Sequence, residues 1–264
     1  MKGKRRWLVI WLVIVALLAA GSLLVPAPAG EGESVQTAMR DAVLHDHNKV
    51  SLFGLKEVNP ALVSALTLTA VLLAAAALIR VLVIPKFQYV PGRFQLLLEE
   101  AVGAFDGMAR RASPHLNGFL GAYIFAAAAY IFFGTMMELL GLQVITTNGH
   151  SITMPAPLSD INAAIALGCL SYCVIVSGGA RANGLRGVGH ALKDFSLPIS
   201  MSFRMFGALL SGLLVTELVY HYFYLSFGIP VLVGVMFTLL HALIQSYVLT
   251  MLTSMFYGEV ASRH

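Results

Sequence analysis

The sequence predicts an all-α, polytopic membrane protein, and three observations carry that prediction. Its 264 residues are 58% hydrophobic and only 11% charged, with a mean hydropathy of +0.80; a water-soluble domain of this size carries about a quarter charged residues. Several apolar runs reach the roughly 20 residues that a helix needs to cross a bilayer. The basic residues flank those runs on alternate sides instead of gathering into a patch, which excludes nucleic acid as a partner and marks topology.

Residues 1–25 read as a basic start (Lys2, Lys4, Arg5, Arg6) followed by an apolar stretch from Trp7 to Val25. Ala27-Pro28-Ala29 offers an A-x-A cleavage site, so a signal peptide and an uncleaved N-terminal anchor both stay open. Residues 26–59 form an extracytoplasmic segment with Glu31, Glu33, Asp41 and His45-Asp46-His47. That His-x-His pair has no third ligand at a sensible spacing, and a solvated or docking segment is the better reading. No metal or cofactor is expected.

Residues 60–264 make one membrane domain. Its first span runs from Pro60 to Ile84 and is stopped by Pro85. Lys86 to Ala112 is a polar interval in which Pro91-Gly92 opens an amphipathic helix. Phe94, Leu97, Leu98, Ala101, Val102 and Phe105 recur on one face; Arg93, Gln95, Glu99 and Asp106 occupy the other. Such a helix lies on the membrane surface or under a partner.

The next span covers His115 to Leu140, with Glu138 near its far end. Ser159-Asp160 can cap the following one, about Ile161 to Val176. The glycine- and arginine-rich stretch SGGARANGLRGVGH then reads as a cytoplasmic loop. It lacks a G-K-[ST] element and follows no strand, so it is not a phosphate loop. Cys169 and Cys173, four apart on that span, fit neither a disulfide nor a zinc pattern and read as small packing residues. A fifth span extends from Phe195 to Phe227, with Pro198 near its start. A sixth runs from Val231 to Tyr257. With the first 25 residues counted, there are about six.

Of the 17 lysines and arginines, Arg40, Lys49 and Lys56 fall on the outer side and Arg204 falls within a span. All the others lie at cytoplasmic ends, which sets the N-terminus and the C-terminus inside. At roughly 1.5 Å per residue, Arg204 is on the order of 15 Å into its helix, too deep to snorkel. An arginine at that depth costs about 2.5–3.5 kcal/mol on insertion scales.

Beyond Arg204, on the outer side, polar residues recur at membrane depth. Glu217 and His221 are an i, i+4 pair, as are His241 and Gln245; Glu138, Asp160 and Asn162 stand at the same level. Gathered at one depth, they suggest a hydrated ion path from outside to the bilayer centre, against the plainer reading of a polar cluster tying helices together. Ser200, Gly207, Ala208 and Ser211 recur at i−4, i+3, i+4 and i+7 from Arg204 and make one face small, so another helix can approach closely. Glu217, 13 positions on, is about 220° around the helix. The arginine therefore points to a carboxylate on another subunit.

SMSFRMFGALLSG around Arg204 resembles the S-L-S-L-R-L-F-G-N-M-x-A-G element of subunit a of the F-type ATP synthases. IQSYVLTMLTSMFY (residues 244–257) is similar to that family's I-Q-A-Y-V-F-x-x-L-T motif and puts Gln245 on its glutamine. VPGRFQ (residues 90–95) matches V-P-G-x-x-Q. The resemblance covers about residue 41 to the end. It implies a stator in the bacterial inner membrane, in which two long tilted C-terminal helices form a hairpin against a ring of c subunits. Arg204 would meet each ring carboxylate between two half-channels for H⁺ or Na⁺ and couple ion flow to ATP synthesis or hydrolysis elsewhere. The implied partners are the c ring, b-type peripheral stalk subunits, the soluble nucleotide-hydrolysing sector indirectly, and membrane lipid. The chain itself would carry no covalent catalysis.

The sequence departs from the family pattern at several places. Ala208 stands where the family has asparagine, and Leu213 and Thr238 stand where it often places Glu or His. Glu217 and His241 appear about one turn away instead. The His190–Ser196 connection is short, and residues 1–25 are an addition; a divergent branch is implied. The alternative is a secondary transporter binding an anionic substrate at Arg204. Such folds show paired broken helices in two related halves, and the sequence has neither.

Overall fold

The computed structural model describes residues 50–52, 55–115, 117–145, 151–221 and 229–262, together with residue 13. Residues 1–12 and 14–49, with the His45-Asp46-His47 cluster, and residues 222–228 lie outside the described residues. Two short antiparallel hairpins accompany an otherwise helical chain. β1 (Val50–Leu52) pairs with β2 (Leu55–Val58), and β3 (Gln143–Ile145) pairs with β4 (Ser151–Thr153) in the register Gln143↔Thr153.

Helix α1 (Pro60–Leu78) starts with a complete cap. Asn59 Oδ1 accepts from the Ala61 amide at 2.9 Å, and Pro60 occupies the first turn, where its missing N–H is harmless. The helix loosens into a π turn at Ile79–Val83 and a 3₁₀ turn at Ile84–Lys86, where Pro85 ends it. Only Pro60, Ala61, Ser64 and Leu68 are buried in α1, Leu68 against Met137 and Met154. The rest of this apolar helix faces outward, which lipid permits and water does not.

Helix α2 (Arg93–Ala112) is amphipathic, as its spacing predicts. Its second half packs on α3 (Gly118–Leu140). Phe105 meets Phe125 edge-on at 5.6 Å, and Ala109 is buried beside Gly121. Asp106 and Arg110 pair at 2.8 Å on the wet side. Helix α3 ends at Gly141 in the left-handed conformation (φ 60), a helix stop that glycine adopts without strain.

The largest difference from the sequence reading concerns residues 177–190. They are not a loop: α4 runs from Ile161 to Lys193, well past Val176. Gly184, at φ 58 and ψ −137, breaks it, and the chain folds back on itself. A Cβ at Gly187 would overlap the Gly179 carbonyl, and Tyr172 donates to the Ala191 carbonyl at 3.1 Å across the fold. Glycine is a poor helix former in isolation, which is why the stretch reads as loop. Here it is selected because two backbones touch.

Helix α5 (Ser196–His221) follows after a two-residue turn, and α6 (Ile229–Ala261) returns antiparallel to it. α6 packs most heavily on α3 and α4. Tyr257 lies flat against Gly178, Gly258 sits against the Ala112 carbonyl, and Asn183 Nδ2 donates to the Ser262 carbonyl at 2.9 Å. These contacts lock the ends of α2, α4 and α6 together. The core between them is Leu120, Ile124, Ile131, Ile175, Met201, Met205, Leu249 and Tyr257. Cys169 and Cys173 are free and exposed on α4, so they face outward and are not the packing residues expected from the sequence.

Among the described residues, four helices are long and apolar enough to cross a membrane: Pro60–Lys86, Gly118–Leu140, Ile161–Lys193 and Gly234–Ala261. Helix α5, 26 residues long, is the fifth long helix and carries Arg204 in its first half. The protein is a helical, multi-pass membrane protein.

Candidate functional site

The depth of Arg204 follows from one helix crossing. Gly168 of α4 meets Ser202 and Pro198 of α5 so closely that a Cβ there would stand 2.8 Å from the Pro198 carbonyl oxygen. Gly168 lies seven residues into α4, roughly 10 Å from its start. It lies a similar distance before the polar residues that begin at Ser177. Arg204, half a turn beyond Ser202, is therefore well inside the apolar slab.

The two sides of α5 differ sharply. Met201, Ser202, Met205 and Leu209 are buried against the bundle, and Ser202 returns its hydroxyl proton to the Pro198 carbonyl at 2.6 Å. Ile199, Ser200, Phe203, Arg204, Gly207 and Ser211 form an exposed stripe, with Ala208 half-buried at its edge. Nothing among the described residues stands within 4 Å of a Cβ built on Gly207. The Ser211 hydroxyl donates to the Ala208 carbonyl at 2.8 Å, so it projects no free donor. The stripe is small except for Ile199 and for Phe203, which is 62% exposed beside the arginine. Among the described residues, no hydrogen bond or ion pair engages Arg204.

Helix α6 brings its polar residues to the same hairpin. A Cβ on Gly212 of α5 would stand 3.6 Å from His241 Nδ1, so His241 leans on α5 at that glycine, with the Phe237 ring 5.9 Å from its own. In antiparallel helices one turn on α6 matches one turn back on α5. Gln245 therefore stands level with Ala208, one turn from Arg204. Both His241 and Gln245 are half-buried. Glu217 and His221 continue α5 beyond Gly212, in the backbone positions the sequence expects; their side chains lie outside the described residues.

At the far end the structure adds a partner that the sequence reading missed. Asp160 caps α4 through Oδ1, accepting from the Asn162 amide at 2.8 Å. Its Oδ2 accepts from Asn59 Nδ2, also at 2.8 Å, 101 residues away in sequence. One carboxylate thus joins the starts of α1 and α4. Asn59 could have been found as an Asn-Pro cap signal, but its second task depends on tertiary placement. Glu138 is half-buried near the same end of α3, and Asn162 is exposed on the first turn of α4. α5 packs against the Pro157–Ser159 turn, which carries Asp160 at its end. The structure thus groups Arg204, Gln245 and His241 along one hairpin and sets Glu138, Asp160 and Asn162 at the end toward which that hairpin runs.

Arg204 thus stands on an exposed stripe of one helix of a long hairpin in a helical membrane protein. The family model described as "ATP synthase A chain" matches residues 62–258. A protein named ATP synthase subunit a from one strain of Cereibacter sphaeroides is 27% identical over 199 residues, covering 71% of this chain and 76% of its own. The chloroplastic ATP synthase subunit a of Stigeoclonium helveticum is 34% identical over 123 residues, 42% of this chain and 49% of that one. The chain belongs to the ATP synthase A chain family. Membership makes it a membrane subunit of the ion-translocating sector of an ATP synthase.

Proposed function

We propose that this chain is the stator against which a ring of c subunits turns, with Arg204 meeting each ring carboxylate in passing. The observation that carries this reading is the exposed stripe: an arginine within an apolar helix, on a face that the other described residues leave uncovered. Coulomb attraction to a carboxylate at 4 Å is worth roughly 4 kcal/mol at an effective dielectric of 20, of the same order as the insertion cost of the cation. Gly207 has no side chain and Ser211 only a short one turned to its own backbone, so a neighbouring helix finds little there to interlock with and can slide past. The arginine thus holds one carboxylate at a time without fixing the ring.

In the same reading, His241, Gln245, Glu217 and His221 continue with Glu138, Asp160 and Asn162 into an outer half-channel. A second half-channel opens toward the basic, cytoplasmic end. Each charge crossing the potential gains about 2.3 kcal/mol per 100 mV, and the arginine prevents it from short-circuiting between the half-channels. A b-type peripheral stalk would hold the subunit still, in a bacterial inner membrane. The direct test is Arg204→Ala in the assembled complex. Ion-coupled ATP synthesis should fall to background with the subunit still incorporated, and normal coupling would remove the role given to Arg204.

A further inference from the structure

α1 and α2 part from the bundle where they meet each other. Past Leu68, Val71, Leu73 and Leu78 of α1 and Val81 and Leu82 of the π turn after it are all exposed, Val81 at 68%. The first half of α2 is equally uncovered: Phe94 is 56% and Leu97 65% exposed. Between these two apolar flanks lies a groove of about 460 Å³, lined by Leu82, Val83, Lys86, Phe87, Arg93 and Phe94 among others. That volume falls within the roughly 300–1,000 Å³ of small-ligand sites.

The groove is cationic at one end and apolar around it. Lys86 and Arg93 both line it and are exposed, and Arg80 precedes them in the π turn. The first turn of α2 holds no acidic residue, and Gly92 offers no side-chain cap, so the leading N–H groups and the positive end of the helix dipole are open. The loop that frames the groove is held in shape by Gln95. Its Oε1 accepts from the Gln88 amide at 3.1 Å, and its Nε2 donates to the Gln88 carbonyl at 3.0 Å. The same Nε2 donates to Glu99 at 2.8 Å, which keeps that carboxylate occupied one turn away. Glu100 is exposed beside it.

Two cations and a helix start suit a phosphate group. Exposed apolar side chains on both flanks suit hydrocarbon. A free phosphate would use the first feature and leave the second unexplained. We propose that this groove seats the phosphate headgroup of an anionic glycerophospholipid, whose acyl chains fill the wedge between the second half of α1 and the first half of α2. The lipid then covers apolar surface that the described residues leave bare and ties α1 to α2.

The test uses the assembled complex in nanodiscs, with Cys169→Ala, Cys173→Ala and Val90→Cys and a fluorophore on the new thiol. Val90 is 81% exposed on the loop bordering the groove. Quenching by chain-spin-labelled phosphatidylglycerol is compared with quenching by the same chains on phosphatidylcholine. Phosphatidylglycerol should be preferred, and each of Lys86→Gln and Arg93→Gln should weaken that preference about fivefold. Arg110→Gln with Arg111→Gln, at the other end of α2, should leave it unchanged. Equal quenching by the two lipids, or a preference that survives the double variant Lys86→Gln/Arg93→Gln, overturns the proposal. So does loss of quenching on adding millimolar inorganic phosphate, which would assign the groove to the free ion. The readout involves no ion flux and is independent of the role of Arg204.

Discussion

α4 and α5 cross at Gly168, and they use their small residues in opposite ways. On α4, Gly168, Gly178, Gly179 and Gly187 face inward. A Cβ at Gly168, Gly178 or Gly179 would strike α5, the Tyr257 ring or Val260, and one at Gly187 would strike the first limb of α4 itself. On α5, Ser200, Gly207 and Ser211 face outward, and Gly207 has open space before it. Both are stripes of small residues on apolar helices, and sequence alone treats them alike. Contact separates them: one is used up in holding the subunit together, the other is left for a neighbour that moves.

Substitutions at the two stripes should therefore fail differently. The largest effect is expected for Gly179→Val or Gly187→Val, where the new side chain meets backbone and no rotamer relieves the clash. Overpacking in yielding sites costs about 1–3 kcal/mol; here the fold of α4 at Gly184 should be lost. Immunoblots of membranes should show little incorporated subunit. Normal amounts would mean that the two limbs can separate without consequence, and the contrast with α5 would break.

An intermediate effect is expected for Gly207→Leu. None of the described residues is displaced, so the subunit should reach normal levels and keep its detergent stability. Driven ion transport by the complex should still drop severalfold, because a bulky side chain now stands on the face that a partner must pass. Loss of the subunit itself would show instead that the exposed stripe is an internal packing surface.

The smallest effect sharpens the assignment of Asp160. Asparagine caps a helix as well as aspartate does, so Asp160→Asn should keep the bond to the Asn162 amide. It turns an NH2 group toward Asn59 Nδ2, so the bond to α1 is lost at a cost of about 1 kcal/mol. If the carboxylate only joins α1 to α4, ion flux should be unchanged. A clear fall in flux with the subunit still present at normal levels would place Asp160 in the ion path as well.

Much of this was legible in the residues. Apolar run lengths gave the described spans, Pro91-Gly92 gave the start of α2, and Ser159-Asp160 gave the cap of α4, because each is a local property of the backbone. Arg204 and its small stripe also followed from sequence, since a lone cation in an apolar run and a 3.6-residue period are visible without coordinates. The helical fold-back at Gly184 was not legible. Its glycines look like loop punctuation until the two backbones are seen to touch. Neither was the second bond of Asp160, whose partner Asn59 is distant in the chain.

By itself, then, the sequence determined where helices form and which residues lie too deep to be incidental, because both follow from the transfer of side chains and backbone into hydrocarbon. Only the tertiary structure decided which small faces are filled and which are open. It also decided that α1 and α2 leave a cationic groove between them. Those are matters of close approach between segments far apart in sequence, set by which backbones can touch.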